Sequence, residues 1–355
     1  MPSEKTNLNI LLFSFPFSKT SQKKKPYLTT LVQKLTEKGY NFYLFSSDRN
    51  LVSSFRENGL NAYRSLAVVL LLKPILIYHR LFRQTKILIC ASLAEKIIAT
   101  PLAKLFGYKI FWLENEFINR RKFHGWWSGW ATIIASSQAI KEQLLPVVSQ
   151  KSYVKIIHPG IDLAEYSLEK ILPQSKQYQL QYVIGTVCRL KPESGLGYLL
   201  KSLKTASEII PNIHLIIIGE GGEKQKLIWL ARQLGIEQKV RFVGWQDDLV
   251  RWINNFDLYI LPSLVKDSVS TVLLEVMALG KPIIATKTGA NPEIVEHGQT
   301  GIVIEPENPE MMAQVIINLY NNPDWLEQYG INGRKRIEEY FDLEKVVEEY
   351  NRILT

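Results

Sequence analysis

The sequence alternates short apolar runs, rich in β-branched and aromatic residues, with longer stretches of helical periodicity. This alternation is typical of parallel sheets, in which a helix connects each strand to the next. Six strands are predicted in the first half: Asn9–Phe15, Asn41–Phe45, Lys86–Ala91, Lys109–Leu113, Thr132–Ala135 and Val154–Ile157. The pattern then restarts with six more: Tyr182–Val187, His214–Ile218, Val240–Val243, Leu258–Leu261, Pro282–Thr286 and Ile302–Ile304. We therefore predict an α/β protein with two doubly wound, Rossmann-like domains in tandem.

The predicted domain limits follow from a polar stretch without strand character, Asp162 to Leu180, which reads as a linker. A chain of 355 residues is also too long for one ordinary core. We predict an N-terminal domain over 1–170 and a C-terminal domain over 171–340. Residues 341–355 form an amphipathic helix that we expect to cross back to the N-terminal domain. Ligands of such sheets bind at the carboxyl ends of the strands, which here are expected to face a cleft.

Charge is distributed unevenly along the chain. Residues 1–170 hold 24 Lys and Arg against 11 Asp and Glu, whereas residues 171–355 hold 19 against 23. A basic N-terminal half suits nucleic acid, an anionic membrane surface or a phosphorylated substrate. Simple solubility charge is the alternative interpretation.

Cysteine usage and hydropathy indicate the compartment. Cys90 and Cys188 both lie in apolar runs, which is typical of buried thiols in a reducing environment. The longest apolar stretch, Leu66 to Tyr78, is interrupted by Lys73-Pro74 and is too short to span a bilayer. No secretory signal is expected. We predict a cytoplasmic protein, with peripheral contact at the inner face of the plasma membrane left open.

Two acids flank a hydroxyl-rich turn in the segment KDSVSTVLLEVMALGKPIIAT, residues 266–286. Asp267 and Glu275 could serve acid/base chemistry, bind a metal, accept hydrogen bonds from a polyhydroxyl ligand, or cap a helix. A metal site is weakly supported, because the chain has no Asp-x-Asp and its five His are scattered. Capping fits Asp267, Ser268 and Ser270. It fits Glu275 less well, because Glu275 stands between Leu274 and Val276.

The hydroxyl-acceptor interpretation agrees best with the surrounding sequence. A helix N-terminus after the strand Leu258–Leu261 offers main-chain N–H groups to a diphosphate, and the carboxylates accept hydrogen bonds from hydroxyls. A nucleotide-sugar presents both kinds of group. Arg189 and Lys191 follow the strand Tyr182–Val187 and could balance the phosphate charge, although Arg189 could also be an ordinary surface residue.

The C-terminal half resembles the family-4 glycosyltransferases, which are retaining enzymes of the GT-B fold among the glycosyl transferases of group 1. The resemblance covers residues 182–352 and runs through GTVCRLKPESG, LIIIGEGGEKQKL, VRFVGW, FDLYILPS, DSVSTVLLEVMALGKPIIATKTGANPEIVEHGQTGIVIEP and EEYFDLEKVVEEY. It implies a nucleotide-sugar donor, UDP- or GDP-linked, with no cofactor and no metal. It also implies that the reaction retains the anomeric configuration.

The resemblance also implies residue roles. The family has two Glu separated by seven residues; here Asp267 takes the first place and would contact the donor sugar, and Glu275 would bind the ribose. Main-chain amides would hold the diphosphate, the base would pack near Val243 and Trp245, and Arg189 would support the leaving group. The amides are those of Ser268, Val269, Ser270 and Thr271. Ser194 replaces the family's Lys, and whether Lys191 substitutes for it is open.

The N-terminal half departs from the family pattern. After the first strand, PFSKTSQKKKPY replaces a paired-glycine loop, and its Lys23, Lys24 and Lys25 could bind a phosphorylated or lipid-surface partner. A solvated charge run is the alternative. After Lys109–Leu113 the family tends to have a His, whereas this chain has Glu114, Asn115 and Glu116. These could contact acceptor hydroxyls, act as a base, or cap the next turn.

The segment RRKFHGWWSGW, residues 120–130, mixes cations with aromatic residues. Arg120, Arg121, Trp126 and Trp127 suit a membrane interface or a lipid-linked acceptor. They could also stack on single-stranded nucleic acid. Given the C-terminal half, we favour the lipid or glycan interpretation and expect no nucleic-acid partner. Buried core tryptophan is the remaining alternative.

Together these features predict a metal-independent hexosyltransferase that moves a sugar from a nucleotide-sugar to a hydroxyl of a glycan or lipid-linked acceptor in cell-envelope, exopolysaccharide or glycolipid synthesis. The predicted catalytic residues are Asp267, Arg189, Glu114 and Glu116. A non-catalytic nucleotide-sugar-binding or scaffold protein of the same fold is the main alternative. A sugar-nucleotide 2-epimerase is less favoured, because its chemistry requires dedicated acids and a His.

Overall fold

The structure, a computed structural model, describes residues 8–13, 27–64, 68–83, 85–91, 93–115, 126–150, 152–166, 181–266 and 269–355, with the side chains of all but 68–73, 82, 93–95, 126 and 127. Within these ranges the chain divides into two compact units. Unit 1 comprises Met1–Pro159 and Leu343–Thr355, and unit 2 comprises Gly160–Asp342.

Strands and helices alternate along unit 1. Its strands are β1 (Leu8–Phe13), β2 (Tyr40–Ser46), β3 (Asn61–Arg64), β4 (Ile87–Cys90), β5 (Lys109–Glu114), β6 (Ala131–Ala135) and β7 (Tyr153–Ile156). Its helices up to the boundary are α1 (Tyr27–Glu37), α2 (Arg49–Glu57), α3 (Val68–Phe82), α4 (Leu93–Leu105) and α5 (Gln138–Leu144). A 3-10 turn over Trp126–Trp130 precedes β6.

Unit 2 repeats the alternation. Its strands are β8 (Tyr182–Val187), β9 (Ile213–Ile218), β10 (Val240–Gly244), β11 (Leu258–Leu261), β12 (Ile283–Thr286) and β13 (Ile302–Ile304). Its helices are α6 (Leu196–Ile209), α7 (Lys224–Gln233), α8 (Leu249–Asn254), α9 (Thr271–Ala278), α10 (Asn291–Ile294), α11 (Pro309–Asn321) and α12 (Pro323–Tyr340). The last helix of the chain, α13 (Leu343–Leu354), belongs to unit 1.

Both sheets have the same strand order. The sheet of unit 1 runs β3-β2-β1-β4-β5-β6-β7, and that of unit 2 runs β10-β9-β8-β11-β12-β13, with parallel pairing throughout. In each, the chain reverses its direction of travel between the first and fourth strands, which is the switch point where doubly wound folds bind ligands. The predicted class, α/β with two doubly wound Rossmann-like domains, is confirmed.

Alternate residues of the central strands pack into opposite layers. In β1, Ile10 joins a core cluster with side chains of α1, α2 and α13, whereas Leu11 joins one with side chains of α3 and α4. In β8, Val183 packs in the layer of α9 and Ile184 in the layer of α6. This is the period-two pattern of a strand buried on both faces.

Helix α13 completes the core of unit 1 through its apolar face. Its buried side chains are Leu343, Val346, Val347, Tyr350 and Leu354. Each buried apolar side chain contributes about 1.5–3 kcal/mol, whereas an exposed ion pair contributes about 0–1 kcal/mol. The ion pair between Lys34 of α1 and Glu344 of α13 (2.7 Å) therefore contributes less to the stability of this packing than the buried apolar side chains do.

The boundaries between the units lie after Pro159 and after Asp342, whereas the sequence analysis placed them after residues 170 and 340. The main-chain N–H of Ile161 donates to the carbonyl of Phe341 (2.8 Å), and Ile161 forms a parallel bridge with Asp342. Ile161 and Tyr166 are buried in the core of unit 2. The first residues of the predicted linker are therefore part of this unit, and residues 167–180 lie outside the described ranges.

Two elements differ from the sequence expectation. Strand β3 was missed, because it is an edge strand with three of its four residues exposed and so lacks an apolar signal. Helix α3 continues through Lys73-Pro74, the pair that interrupts the apolar stretch Leu66 to Tyr78 in the sequence. Among the helices that the structure describes, none combines the length and hydropathy needed to cross a bilayer.

Candidate functional site

The carboxyl ends of β8 and β11 adjoin at the switch point of unit 2. Arg189 lies two residues beyond β8, and the loop 262–266 follows β11. The main-chain N–H of Leu264 donates to the carbonyl of Glu193 (2.9 Å), so the two loops are bonded to each other. Because parallel strands direct their carboxyl ends to one edge, Arg189 and the segment leading to α9 open on the same side of the sheet.

Gly195 allows these two loops to touch. Its φ is +73°, a left-handed conformation, and a Cβ placed on it would lie 1.8 Å from the carbonyl oxygen of Pro262. No other residue fits there without displacing the main chain. The contact fixes the loop after β8 against the loop after β11.

A second pair of glycines fixes the main chain on both sides of Arg189. A Cβ on Gly219 would lie 1.9 Å from the carbonyl oxygen of Cys188, and one on Gly221 would lie 2.2 Å from that of Leu190. The N–H of Leu190 donates to the carbonyl of Glu220 (3.0 Å). The loop after β9 therefore lies directly on residues 188–190 and holds Arg189 in place.

The two cations of this loop have no anionic partner in the described part of the chain. Arg189 is half-buried and Lys191 is exposed, and within the described ranges neither side chain makes a hydrogen bond or an ion pair. A guanidinium that extends from a fixed main chain, and has no partner among the described residues, is suited to bind a phosphate in bidentate fashion.

Ser194 is engaged locally where the family pattern has Lys. Its hydroxyl donates to the carbonyl of Lys191 (2.7 Å) and also bonds to the thiol of Cys188. Burial raises the pKa of that thiol to about 12, so Cys188 stays protonated. A serine in these bonds supplies no positive charge to a bound anion.

The N-terminus of α9 is capped by Ser270. Its extended main chain precedes the helix, and its Oγ accepts a hydrogen bond from the N–H of Leu273 (3.4 Å). Val269 is buried and Thr271 is exposed. Asp267 and Ser268 lie outside the described residues.

Glu275 is a buried carboxyl in the middle of α9, with 7% of its surface exposed. The hydroxyl of Tyr166, which is also buried, donates a hydrogen bond to it. Burial, followed by the charge of Glu275, raises the pKa of Tyr166 well above its ordinary value. The sequence analysis missed Tyr166, because the residue lies in a segment read as linker and in no motif.

The edge strand β10 ends at the predicted base-binding residues. Val243 packs against the core of unit 2, and its carbonyl accepts from Nε2 of Gln246 (2.8 Å). The indole of Trp252 donates to the side chain of Gln246 (3.1 Å). Trp245 is half-buried. These bonds give the segment a fixed shape at the end of the sheet.

In unit 1, Glu114 ends β5 and is buried, with 4% exposure. Its Oε1 lies 2.8 Å from Nζ of Lys96, which also donates to the carbonyl of Leu113 (2.8 Å). Burial raises the pKa of Glu114, and Lys96 opposes that shift. The structure thus pairs Glu114 internally, while Asn115 is exposed and Glu116 lies outside the described residues.

The predicted acceptor or membrane residues fall mostly outside the described part of the chain. Lys23, Lys24, Lys25, Arg120 and Arg121 lie outside the described ranges. For Trp126 and Trp127 only the main chain is described, in the 3-10 turn that ends at the exposed Trp130. Groups of three or more His, Cys, Asp or Glu able to hold a metal are absent from the described residues.

Unit 1 also contains an open cavity of about 430 Å³ between β2, β3 and α3. Its walls include Tyr43, Tyr63, Tyr78 and His79, and Arg83 lies over the ring of Tyr43 at 5.6 Å. Burial lowers the pKa of His79 to about 4, so its ring is neutral at pH 7. The cavity combines aromatic faces with one cation.

Comparison with known proteins agrees with this geometry. Residues 168–336 match the family model of the glycosyl transferases group 1. N-acetyl-alpha-D-glucosaminyl L-malate synthase of Bacillus anthracis is 35% identical over 223 residues, which are 62% of this chain and 58% of that protein. The capsular polysaccharide biosynthesis glycosyltransferase CapM of Staphylococcus aureus is 26% identical over 236 residues, 62% of each chain. The chain thus matches less than two thirds of the length of these relatives.

A solved structure extends the likeness to the whole fold. HepE of Anabaena in complex with UDP superposes with a TM-score of 0.82 at 19% identity, covering 98% of this chain and 99% of the other. The chain has the GT-B fold, and the part of it over residues 168–336 is similar to the glycosyl transferases group 1.

Proposed function

We propose that the protein is a retaining glycosyltransferase of family 4 that transfers a sugar from a nucleotide-diphosphate-sugar to a hydroxyl of a glycan or lipid-linked acceptor. The observation that carries the proposal is the strand end of unit 2, where Arg189 has a fixed main chain and no partner among the described residues. The N-terminus of α9 opens on the same side of the sheet. A guanidinium and free helix N–H groups together suit a diphosphate.

The donor would be held at three points along unit 2. The diphosphate would lie against Arg189 and the amides before α9, and the base would lie near Val243 and Trp245. The ribose hydroxyls would donate to Glu275, a buried acceptor at the middle of α9. Asp267 would contact the sugar. The complex of HepE with UDP supports a uridine nucleotide, and GDP is the alternative.

In the proposed reaction an acceptor hydroxyl approaches the anomeric carbon on the face from which the diphosphate departs. The bond from that carbon to the diphosphate oxygen breaks, the bond to the acceptor oxygen forms, and the hydroxyl proton passes to the departing diphosphate. Arg189 and the helix N-terminus would stabilise the negative charge that develops on the leaving group. The proposal includes metal-independent transfer, which the family resemblance implies.

The acceptor would bind to unit 1. The named role of CapM in capsular polysaccharide biosynthesis supports a glycan acceptor of the cell envelope. The aromatic cavity beside Arg83 is of a kind that can stack on a sugar ring and bond to its hydroxyls. The excess of positive charge in residues 1–170 supports a cytoplasmic enzyme that contacts an anionic membrane surface.

A specific observation supports a second candidate function, that of a protein that binds a nucleotide-sugar without turning it over. Ser194 stands where the family has Lys, and its hydroxyl is bonded to Lys191 and Cys188. The leaving group would therefore depend on Arg189, with Lys191 as the nearest replacement. Turnover of a panel of nucleotide-sugars, including slow hydrolysis, separates the candidates, since binding without turnover of any donor favours the second.

Substitution of Glu275 tests the donor site directly. We expect Glu275→Ala and the isosteric Glu275→Gln to lower UDP affinity about 10–100-fold, because each removes a charged acceptor for hydroxyls. Calorimetric titration measures the affinity, and thermal unfolding checks that each variant is folded. Glu327→Ala, at an exposed position of α12, is the control. Unchanged affinity in folded Glu275→Gln contradicts the assignment.

A further inference from the structure

Tyr166 lies at the start of unit 2, outside the region that the family model matches, residues 168–336. It ends a 3-10 turn over Leu163–Tyr166 and is 4% exposed. The segment that precedes the turn is held within unit 2, because the N–H of Ile161 donates to the carbonyl of Phe341 (2.8 Å). Tyr166 is therefore a fixed part of the unit.

Arg334 of α12 ties this turn to α9. Its Nη1 donates to the carbonyl of Tyr166 (2.9 Å) and to the carbonyl of Ala278 (2.5 Å), the last residue of α9. Its Nε bonds to Glu338 (2.6 Å), which holds the guanidinium in place. One side chain thus sets the position of Tyr166 relative to the helix that carries Glu275.

The ring of Tyr166 packs in the same core cluster as Leu274 and Met277, and its hydroxyl donates to the carboxylate of Glu275. A buried carboxylate requires donors, and each hydrogen bond to it also restricts its rotation. A carboxylate has about four acceptor positions, and the bond from Tyr166 takes up one of them.

Tyr259 is the natural comparison, because burial raises the pKa of its hydroxyl and the charge of Glu275 raises it further, without a hydrogen bond between the two groups. It is fully buried in the same cluster, but its hydroxyl lies 3.4 Å from the carbonyl oxygen of Val187. The hydroxyl of Tyr259 thus bonds to the main chain, whereas that of Tyr166 bonds to Glu275, the acid proposed to bind the donor.

We propose that Tyr166 is a positioning residue for Glu275: its hydroxyl holds the carboxylate in the orientation that accepts the ribose hydroxyls of the donor nucleotide. The inference rests on the proposed function. Tyr166 would then contribute to donor affinity although it lies outside residues 168–336, the region that the family model matches. The inference also predicts that the effect of Tyr166 is confined to ligands with ribose hydroxyls.

The test compares two ligands, UDP and its 2′,3′-dideoxyribose analogue, by calorimetric titration. We expect Tyr166→Phe to lower UDP affinity about tenfold, the lower end for a hydrogen bond to a charged group, and to leave affinity for the analogue unchanged. A merely structural role would weaken both ligands alike. Tyr259→Phe removes a buried hydroxyl from the same cluster and is expected to change neither affinity by more than about twofold.

A double substitution separates positioning from a general loss of packing. In the Glu275→Gln background, we expect Tyr166→Phe to cause no further loss of UDP affinity, because the carboxylate it orients is gone. Equal affinities of wild type and Tyr166→Phe for UDP, with wild type still preferring UDP to the analogue, overturn the inference and leave the proposed function standing. Wild type that binds neither UDP nor GDP overturns both.

Discussion

Two cations at the strand ends of the two sheets have opposite environments. Lys96 in unit 1 is buried and paired with Glu114 at 2.8 Å, and it also donates to two carbonyls. Arg189 in unit 2 is half-buried and, in the described part of the chain, is bonded to no other side chain. The sheets around them have the same strand order. Unit 1 therefore uses Lys96 for its own structure, whereas Arg189 of unit 2 makes no side-chain bond within the described ranges.

The main chain shows the same contrast. In unit 2 the loops after β8, β9 and β11 approach so closely that only glycine fits at residues 195, 219 and 221. In unit 1 the end of β5 is filled by two charged side chains that neutralise each other. A common topology thus carries closely packed loops beside an arginine in one unit and an internally paired strand end in the other. Substitutions at these positions test whether the two units differ in this way.

Lys96→Met is expected to have the largest effect on stability. It removes one partner of a buried ion pair and leaves Glu114 without compensation, which costs about 3–5 kcal/mol. Denaturant unfolding followed by circular dichroism measures the change. Lys104→Met, at an exposed position of the same helix, is expected to cost less than about 0.5 kcal/mol. Equal stabilities of the two variants would contradict a structural role for Lys96.

The same variant predicts a pH dependence with a defined sign. Burial holds the pKa of Glu114 above its ordinary value and Lys96 opposes the shift, so removing Lys96 raises that pKa further. An unfolded Glu titrates near about 4.3, and a raised folded-state pKa means that stability is lost as the pH rises through it. We expect Lys96→Met to be less destabilising at pH 5 than at pH 8. A larger cost at pH 5 would show the opposite linkage.

Gly195→Ala is expected to have the next largest effect, about 3 kcal/mol, from the sum of a left-handed φ and overpacking. The added Cβ would meet the carbonyl of Pro262 at 1.8 Å and separate the loops beside Arg189. Gly235→Ala is the matched control, since Gly235 has a φ of +68° and nothing within 4 Å. It is expected to cost only about 1 kcal/mol, and thermal unfolding with UDP titration compares the two. A cost no larger than that of the control would show that the loops are not in close contact.

The architecture was predictable because it depends on repeated apolar runs. All twelve predicted strands are present, with ends within two residues, since most of them are apolar segments that are buried over much of their length. Strand β3 could not be predicted, because its own composition carries no strand signal. It is a strand because it pairs with β2. Helix α3 passes through Pro74 for a similar reason, as packing of its buried Leu76 overrides the local cost of proline.

The candidate site could be predicted from the sequence only where its residues belong to recognisable motifs. Arg189 was predicted from its place at a strand end, and Glu275 from its place on a helix in a known pattern. Tyr166 was not, because its bond to Glu275 joins residues more than a hundred positions apart and depends on the tie made by Arg334. The pairing of Glu114 with Lys96 was also invisible, since Glu114 after an apolar strand looks the same in sequence whether it faces a ligand or a buried lysine.

Arg189→Gln is expected to have the smallest effect on stability and so makes the sharpest contrast with Lys96→Met. Because the guanidinium has no partner among the described side chains, its loss should change the free energy of unfolding by less than about 0.5 kcal/mol. UDP affinity should nevertheless fall about 10–100-fold, the equivalent of hydrogen bonds to a charged group. Arg232→Gln, at an exposed position of α7, should change neither quantity. If Arg189→Gln instead destabilised the protein by several kcal/mol and left UDP binding intact, both strand-end cations would be structural, and the difference between the two units would disappear.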